Sequence, residues 1–129
     1  MPRSTLRLAT AGLLLAISLL AIAAQPAEVK MLVQSSPLAG FQYYKGREIW
    51  SELRLGDPVT LLRERSNPHD SNAVRVEWRG HMLGYIPRRD NRAVSRHMDG
   101  GGAVEARVSR LTTHRNPWQR IEFEVFVPL

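Results

Sequence analysis

The chain has 129 residues, a formal net charge of +6 and no cysteine. Without cysteine, disulfides and a cysteine-based zinc site are excluded, so an exported domain of this length must fold on packing alone. The small positive charge suggests an anionic partner without identifying its class.

The N-terminal segment is typical of a secretory signal peptide. Two arginines precede an uncharged apolar run from Leu8 to Ala24, and Ala21-Ile22-Ala23 has small residues at the spacing that signal peptidases accept. We therefore interpret residues 1–24 as a cleaved signal peptide and residues 25–129 as one small domain. A retained anchor is the alternative, although the apolar run is at the short limit for spanning a bilayer. Cleavage predicts an exported protein, periplasmic or secreted, without a stable membrane span.

The predicted mature domain is rich in arginine. Without Arg3 and Arg7 it has 16 basic and 12 acidic residues, a net charge of +4, and 14 of the 16 cations are Arg. Arginine offers planar, bidentate recognition of phosphate. Genome base composition is an alternative cause of the same enrichment.

Period-two alternation predicts strands along most of the domain. In the stretch before Gly80, apolar residues alternate with charged ones, and the glycine turns the chain into a second strand of a hairpin. Near Arg110 the alternation slips phase, which indicates a bulge or bend. The predicted strands are 29–34, 58–64, 72–79, 81–86, 103–111 and 120–127. The residues predicted to be buried on one face are Val74, Val76, Trp78, Ile121, Phe123 and Val125.

Two segments, 47–55 and 87–101, have helical spacing, the second beginning at a proline and ending in glycines. With six strands, they predict a mainly β domain built as a small curled sheet or barrel. Within the second segment Arg88, Arg92 and Arg96 recur every four residues, with Arg89 beside them. On one helix they would form a cationic stripe, either a solvated face or an edge that follows phosphates.

No enzyme signature is present. The chain has no GxxxxGK[ST] phosphate loop, no GxSxG elbow and no cysteine nucleophile. The four histidines are scattered, with no HxxxH or HExxH pair. We therefore predict no catalytic residue, no metal site and no cofactor.

The stretch GFQYYKG contains two adjacent tyrosines, Tyr43 and Tyr44. On a strand, adjacent residues point to opposite faces, so both rings cannot be in the core. One interpretation is a buried ring beside an ordinary exposed one. The other is a stacking platform, on which aromatic faces hold nucleobases at roughly 1–3 kcal/mol each.

The stretch NPHDSN, from Asn67 to Asn72, is rich in turn formers. Asparagine before proline is biased away from the helical region, and Asp70 and Asn72 can bond to their own backbone in Asx-type turns. A structural turn is one interpretation. In the other, Asp70 accepts a hydrogen bond from a sugar hydroxyl and repels a phosphate, which would distinguish a free hydroxyl end from a phosphorylated one.

Four motifs occur in order between about Gly40 and Arg89: GFQYYxG, GDPVTLLRE, NPHDSNAVRV and WRGHMLGYIPR. Together they resemble the HIRAN domain family, and a weaker resemblance continues to the C terminus. The resemblance implies a modified OB-type β-barrel of about six strands with two short helices. It also implies binding of single-stranded DNA at a free 3′-hydroxyl end.

The resemblance also implies roles for individual residues. Tyr43 and Tyr44 would stack on the terminal base, and Asn67 and Asp70 would approach the terminal sugar hydroxyl. A basic residue after the Gly-Tyr strand would contact phosphate. That residue is Arg88 or Arg89.

The chain departs from the family pattern at Gln42, where DNA-binding members tend to have a cation, and it lacks the ATPase and zinc-finger modules often fused to the domain. We therefore expect a non-enzymatic module that binds single-stranded nucleic acid ends. The alternative is an exported envelope interaction domain that binds a peptide, a glycan or another polyanion in the same groove.

Overall fold

The structure is a computed structural model, and it describes residues 28–129. The predicted signal peptide lies outside the described residues. The predicted strands are all present, with boundaries shifted by a few residues. They are β1 (Lys30–Pro37), β2 (Pro58–Arg63), β3 (Val74–Trp78), β4 (His81–Tyr85), β5 (Glu105–Leu111) and β6 (Ile121–Pro128).

The six strands form one antiparallel sheet in the order β1-β6-β5-β2-β3-β4. Its two edges meet at a single bridge in the described chain, where Ala39 and Tyr85 exchange two backbone hydrogen bonds of 2.9 Å. The sheet is therefore strongly curled but is not a closed barrel. The prediction of a mainly β, OB-like fold with two short helices is confirmed.

The core lies inside the curl and includes the alternating residues of β3 and β6 in one buried cluster. All six residues predicted from the alternation are buried. The indole of Trp78 satisfies its N–H by donating to Asp57 Oδ2 at 3.0 Å, which anchors the turn before β2. The predicted bulge is also present, because the pairing of β5 with β6 shifts register between Val108 and Arg110.

Helical structure is shorter than the sequence spacing predicts. The two α-helices are α1 (Gly46–Ile49) and α2 (Arg92–Asp99), and four 3-10 turns cover Phe41–Tyr43, Trp50–Glu52, Arg88–Asp90 and Pro117–Gln119. No helix within residues 28–129 is both long and apolar enough to cross a membrane.

The predicted continuous helix over residues 87–101 is wrong. Arg88 and Arg89 belong to a 3-10 turn, and α2 begins only after Asn91, whose side chain is buried. Because the 3-10 turn and α2 are separate elements, the two arginines do not share a helical stripe with Arg92 and Arg96. The turn instead directs Arg88 toward the loop between β2 and β3.

Candidate functional site

The tyrosine pair lies at the end of a 3-10 turn that has a glycine before it and another after it. Gly40 has φ of 81°, a left-handed conformation that favours glycine, and its carbonyl accepts from the Tyr43 N–H at 2.9 Å. Phe41 is buried, and a Cβ on Gly46 would lie 2.2 Å from the Phe41 ring. Gly46 is therefore required for the chain to pass over this ring. The assumption that the tyrosines lie on a strand is wrong, because residues 41–43 form a 3-10 turn.

Neither tyrosine is buried. Tyr43 is 77% exposed and Tyr44 is 37% exposed, so the interpretation with one core ring is also wrong. Tyr44 contacts Tyr85 of β4 edge-on, with ring centroids 6.0 Å apart and an angle of 66° between the planes. This contact holds one ring against the sheet edge and leaves the other in solvent.

The NPHD loop is a well-ordered turn. Asn67 Oδ1 accepts from the N–H groups of His69 at 2.9 Å and of Asp70 at 3.2 Å. Asp70 Oδ1 in turn accepts from the Asn72 N–H at 2.9 Å. The Asx-type turn at Asp70 is the predicted one, whereas the other turn is formed by Asn67 rather than by Asn72. Asp70 Oδ2 also accepts from Asn91 Nδ2 at 2.7 Å, which ties the loop to the residue before α2.

The same loop forms one wall of a cleft of about 290 Å³ at the point where the two sheet edges meet. We call it the tyrosine cleft. Of the six residues predicted for the site, four line it, and Tyr43 and Arg89 do not. Its lining residues are Ala39, Tyr44, Asn67, His69, Asp70, Ala73, Tyr85, Ile86 and Arg88.

A second, more polar cleft adjoins the tyrosine cleft and shares Asp70 and Arg88 with it. Arg89 and Arg92 line this polar cleft, so both remain close to the site. Arg89 is also paired with Asp90, at 3.1 Å between Nε and Oδ2. The arginines after β4 thus line one or both of two adjoining clefts.

Opposite charges meet at the rim of the tyrosine cleft. The Arg88 side chain is 75% exposed, its Nη2 donates to the His69 carbonyl at 2.5 Å, and its Nε lies 3.9 Å from Asp70 Oδ2. A carboxylate has about four acceptor positions, and the described contacts of Asp70 use two of them. Asp70 therefore retains capacity to accept a hydrogen bond from a ligand.

Tyr85 and Glu64 form a support behind the cleft that sequence reasoning missed. The Tyr85 hydroxyl donates to Glu64 Oε1 at 2.8 Å, and the same oxygen accepts from Asn67 Nδ2 at 3.0 Å. Arg75 Nη1 lies 3.1 Å from the other carboxylate oxygen. Burial raises the pKa of Tyr85 to about 12, assisted by its hydrogen bond to Glu64. The phenol therefore remains a donor at neutral pH and fixes the carboxylate that orients Asn67.

The side chains of the tyrosine cleft are suited to binding a ligand. They provide an aromatic ring for stacking, a carboxylate acceptor and an exposed guanidinium group. Within residues 28–129, no group of three or more His, Asp or Glu side chains is placed to hold a metal ion.

Two solved structures resemble the domain. A crystal structure of a protein from Lactobacillus plantarum is 27% identical, with a TM-score of 0.68 over 78% of this chain and 97% of that chain. The HIRAN domain of human HLTF is 21% identical, with a TM-score of 0.56 over 77% of this chain and 78% of that chain, which shows similarity of fold. No curated protein matches the sequence.

The family model that matches the sequence is the HIRAN domain, over residues 31–129. This match begins at the second residue of β1 and includes the other five strands and every residue of the tyrosine cleft. HIRAN domains are known as nucleic-acid-binding modules rather than as catalysts. The chain belongs to the HIRAN domain family.

Proposed function

We propose that the domain is a non-enzymatic module that holds the end of a single-stranded nucleic acid in the tyrosine cleft, with a preference for a free 3′-hydroxyl. The observation that carries this proposal is the convergence of Tyr44, Asn67, Asp70 and Arg88 on one cleft. They come from three separate segments and together offer groups suited to a base, a sugar hydroxyl and a phosphate.

Tyr44 stacks on the terminal base. Its ring is partly exposed and is held by the edge contact with Tyr85, so little conformational entropy is lost when a base packs on it. Base–aromatic stacking contributes about 1–3 kcal/mol and tolerates any base. Tyr43 lies outside the cleft, where its exposed ring is available to the following nucleotide.

Asp70 selects the end of the strand. A 3′-hydroxyl can donate to one of its free acceptor positions, whereas a 3′-phosphate brings negative charge close to a carboxylate. Asn67 is oriented by Glu64 and stands beside Asp70 in the same turn. The loop is therefore both a stable turn and the rim of a binding site.

Arg88 neutralises the phosphate of the terminal nucleotide. The side chain is largely exposed and its nearest carboxylate contact is long, at 3.9 Å, so moving onto a phosphate gives up only its hydrogen bond to the His69 carbonyl. Arg89 and Arg92, in the adjoining polar cleft, extend the cationic surface. Gln42 provides no charge at the position where DNA-binding relatives tend to have a cation, so we expect moderate affinity.

Fluorescence anisotropy at low salt tests the proposal with labelled single strands that carry a 3′-hydroxyl, a 3′-phosphate or only an accessible 5′ end. Tyr44→Ala should weaken all of them by about 1–3 kcal/mol. Arg88→Gln should weaken all of them alike and lower the salt slope by about one. Arg79→Gln is the matched control, because it removes the same charge from a residue that lines none of the described clefts.

A wild-type protein without measurable affinity for any single strand would contradict the proposal. The same experiment also tests the alternative that the protein is an envelope interaction domain. Heparin that binds at Arg88, together with strands that bind without any end preference, would favour a general polyanion or glycan site.

We also propose that the protein is exported, on the basis of the basic, apolar and small-residue N-terminal segment. Intact mass measurement of the protein from expressing cells should give an N terminus within a residue or two of Ala24. A cytosolic pool with an intact Met1 or Pro2 would contradict export.

A further inference from the structure

The 3-10 turn Phe41–Tyr43 borders a further cleft, of about 250 Å³, through Phe41. We call it the tryptophan cleft. It is lined by Phe41, Arg47, Trp50, Thr113 and Arg120. Two guanidinium groups, an indole and a hydroxyl thus share one concave site, and no carboxylate of the described chain lines it.

The two cations of this cleft are not neutralised within the structure. Arg120 donates from Nε to the His114 carbonyl at 2.6 Å, and its guanidinium carbon lies 5.4 Å from the centroid of the Phe41 ring. Among residues 28–129, no carboxylate oxygen lies within 4.0 Å of Arg47 or Arg120. By contrast, Arg107 and Arg110 on the neighbouring strand β5 pair with Glu124 and Glu122.

The aromatic wall is held in place. Trp50 is half-buried and packs edge-on against Phe41, with ring centroids 5.7 Å apart and an angle of 81° between the planes. The indole is thereby fixed beside the guanidinium groups, with part of its surface open to the cleft. A fixed aromatic surface next to unpaired arginines suits a ligand that combines a planar ring with a phosphate.

We propose that the tryptophan cleft is a second nucleotide subsite, in which Arg47 and Arg120 hold a phosphate and Trp50 contacts the base. This proposal rests on the proposed function, because the occupant is an internal nucleotide of the strand whose end lies in the tyrosine cleft.

The connection between the clefts supports one continuous strand. Phe41 lines the tryptophan cleft and Tyr44 lines the tyrosine cleft, and residues three apart are separated by at most about 11 Å between Cα atoms. Tyr43 lies between them in the chain and is largely exposed. A strand that leaves the tyrosine cleft along this turn would pass Tyr43 and reach Arg47. The same chemistry would also accept a free mononucleotide, which is the second source that the experiment must distinguish.

The test compares a labelled dinucleotide with an octanucleotide, both with 3′-hydroxyl ends, on the purified protein. The wild-type protein should bind the octanucleotide about tenfold more tightly, because stacking and a phosphate contact are added. Arg47→Gln should remove most of this gain and lower the salt slope by about one for the octanucleotide alone. Its affinity for the dinucleotide should match that of the wild type. Arg47 is exposed, so the substitution should leave the melting temperature unchanged, and Arg79→Gln is again the matched control.

The outcomes separate this inference from the proposed function. If strands bind with an end preference, but the affinity gained with length is equal in wild type and Arg47→Gln, the second subsite alone is overturned. An alternative result is that a mononucleotide quenches the tryptophan fluorescence of the wild type but not of Arg47→Gln, while the length dependence is the same in both. That result would show that the cleft binds a free nucleotide and not part of a continuous strand. Absence of binding to any strand would overturn both proposals.

Discussion

Asn91 Nδ2 donates a hydrogen bond of 2.7 Å to Asp70 Oδ2, joining two residues that lie 21 positions apart. Asn91 is 1% exposed, so the bond connects a buried amide to the wall of the tyrosine cleft. It ties the NPHD loop to the residue that precedes α2. Asp70 is therefore a structural residue as well as a candidate ligand-binding residue, and its two roles must be separated by experiment.

Asn91→Ala should destabilise the domain by about 1–3 kcal/mol, because it leaves an acceptor of Asp70 without its buried partner. The measurement is urea denaturation at neutral pH. Asn72→Ala is the matched control, since Asn72 contributes only its backbone N–H to Asp70, and we expect a much smaller loss. Equal losses in the two variants would contradict the role assigned to the Asn91 side chain.

Gly84 controls the bridge that brings the two sheet edges together. A Cβ at this position would lie 2.1 Å from the Ala39 carbonyl oxygen. Gly84→Ala should therefore break the pairing of Ala39 with Tyr85, destabilise the domain and weaken single-strand binding through displacement of Tyr44 and Tyr85.

Gly80→Ala is the control for backbone strain. Gly80 has φ of 79° and nothing within 4 Å of its Cβ position, so its substitution should cost about 1–2 kcal/mol without affecting binding. Gly84→Ala should cost about 1–3 kcal/mol more than this control. Thermal unfolding and anisotropy measure both effects, and unchanged binding by Gly84→Ala would show that the bridge does not position the cleft.

Phe123→Ala should cost about 3–5 kcal/mol of unfolding free energy, because its ring is 1% exposed at the centre of β6. Phe126 is the matched control on the same strand. It is half-buried, and its ring lies under Arg107 at 4.6 Å from the guanidinium carbon. Chemical denaturation should show a clearly smaller loss of unfolding free energy for Phe126→Ala. A larger loss for Phe126→Ala than for Phe123→Ala would show that the core does not lie on the Phe123 face of β6.

Tyr85 should make stability depend on alkaline pH. Its pKa is raised from the usual 10.0 to about 12, so the folded state favours the protonated phenol. The resulting stabilisation is fully present below pH 10 and is lost as the pH rises toward 12. Urea denaturation across this range should show a decline in unfolding free energy that is smaller in Tyr85→Phe. Absorbance titration should show one phenol that ionises at higher pH than the others in the wild type but not in the variant. Identical dependence of stability on alkaline pH in wild type and Tyr85→Phe would contradict the Tyr85–Glu64 contact.

The strands and the core could be predicted from the sequence because alternation is a local property. In β3 and β6 each apolar residue is two positions from the next, so the pattern itself specifies the buried face. The phase slip near Arg110 was likewise a local signal and marks an actual bulge.

The departures from prediction arise from contacts between distant residues or from backbone geometry. Tyr43 lies in a 3-10 turn that follows Gly40, which has a positive φ, and Gly46 packs on the Phe41 ring; alternation with period two does not capture either feature. The arginine stripe is interrupted because a 3-10 turn precedes α2, which begins only after Asn91, and the Asn91 side chain bonds to a residue 21 positions away. Tyr85 was missed for the same reason, since its partner Glu64 is also 21 positions distant. The sequence feature that could have identified Tyr85 is its position in the Gly-Tyr motif of the strand after β3.

The most direct test of the central claim compares the affinities of wild type and Asp70→Asn for otherwise identical strands ending in a 3′-hydroxyl or a 3′-phosphate. Asparagine preserves the side-chain oxygen that accepts from the Asn72 N–H, and the Asn91 amide can turn to accept from the new amide, so the loop should persist. We predict that the wild type prefers the hydroxyl end by about tenfold, because a carboxylate close to a phosphate costs one to a few kcal/mol, and that Asp70→Asn loses this preference while still binding single strands. Wild-type affinities that are equal for the two ends, or a preference that persists unchanged in Asp70→Asn, would contradict recognition of the 3′-hydroxyl by this loop.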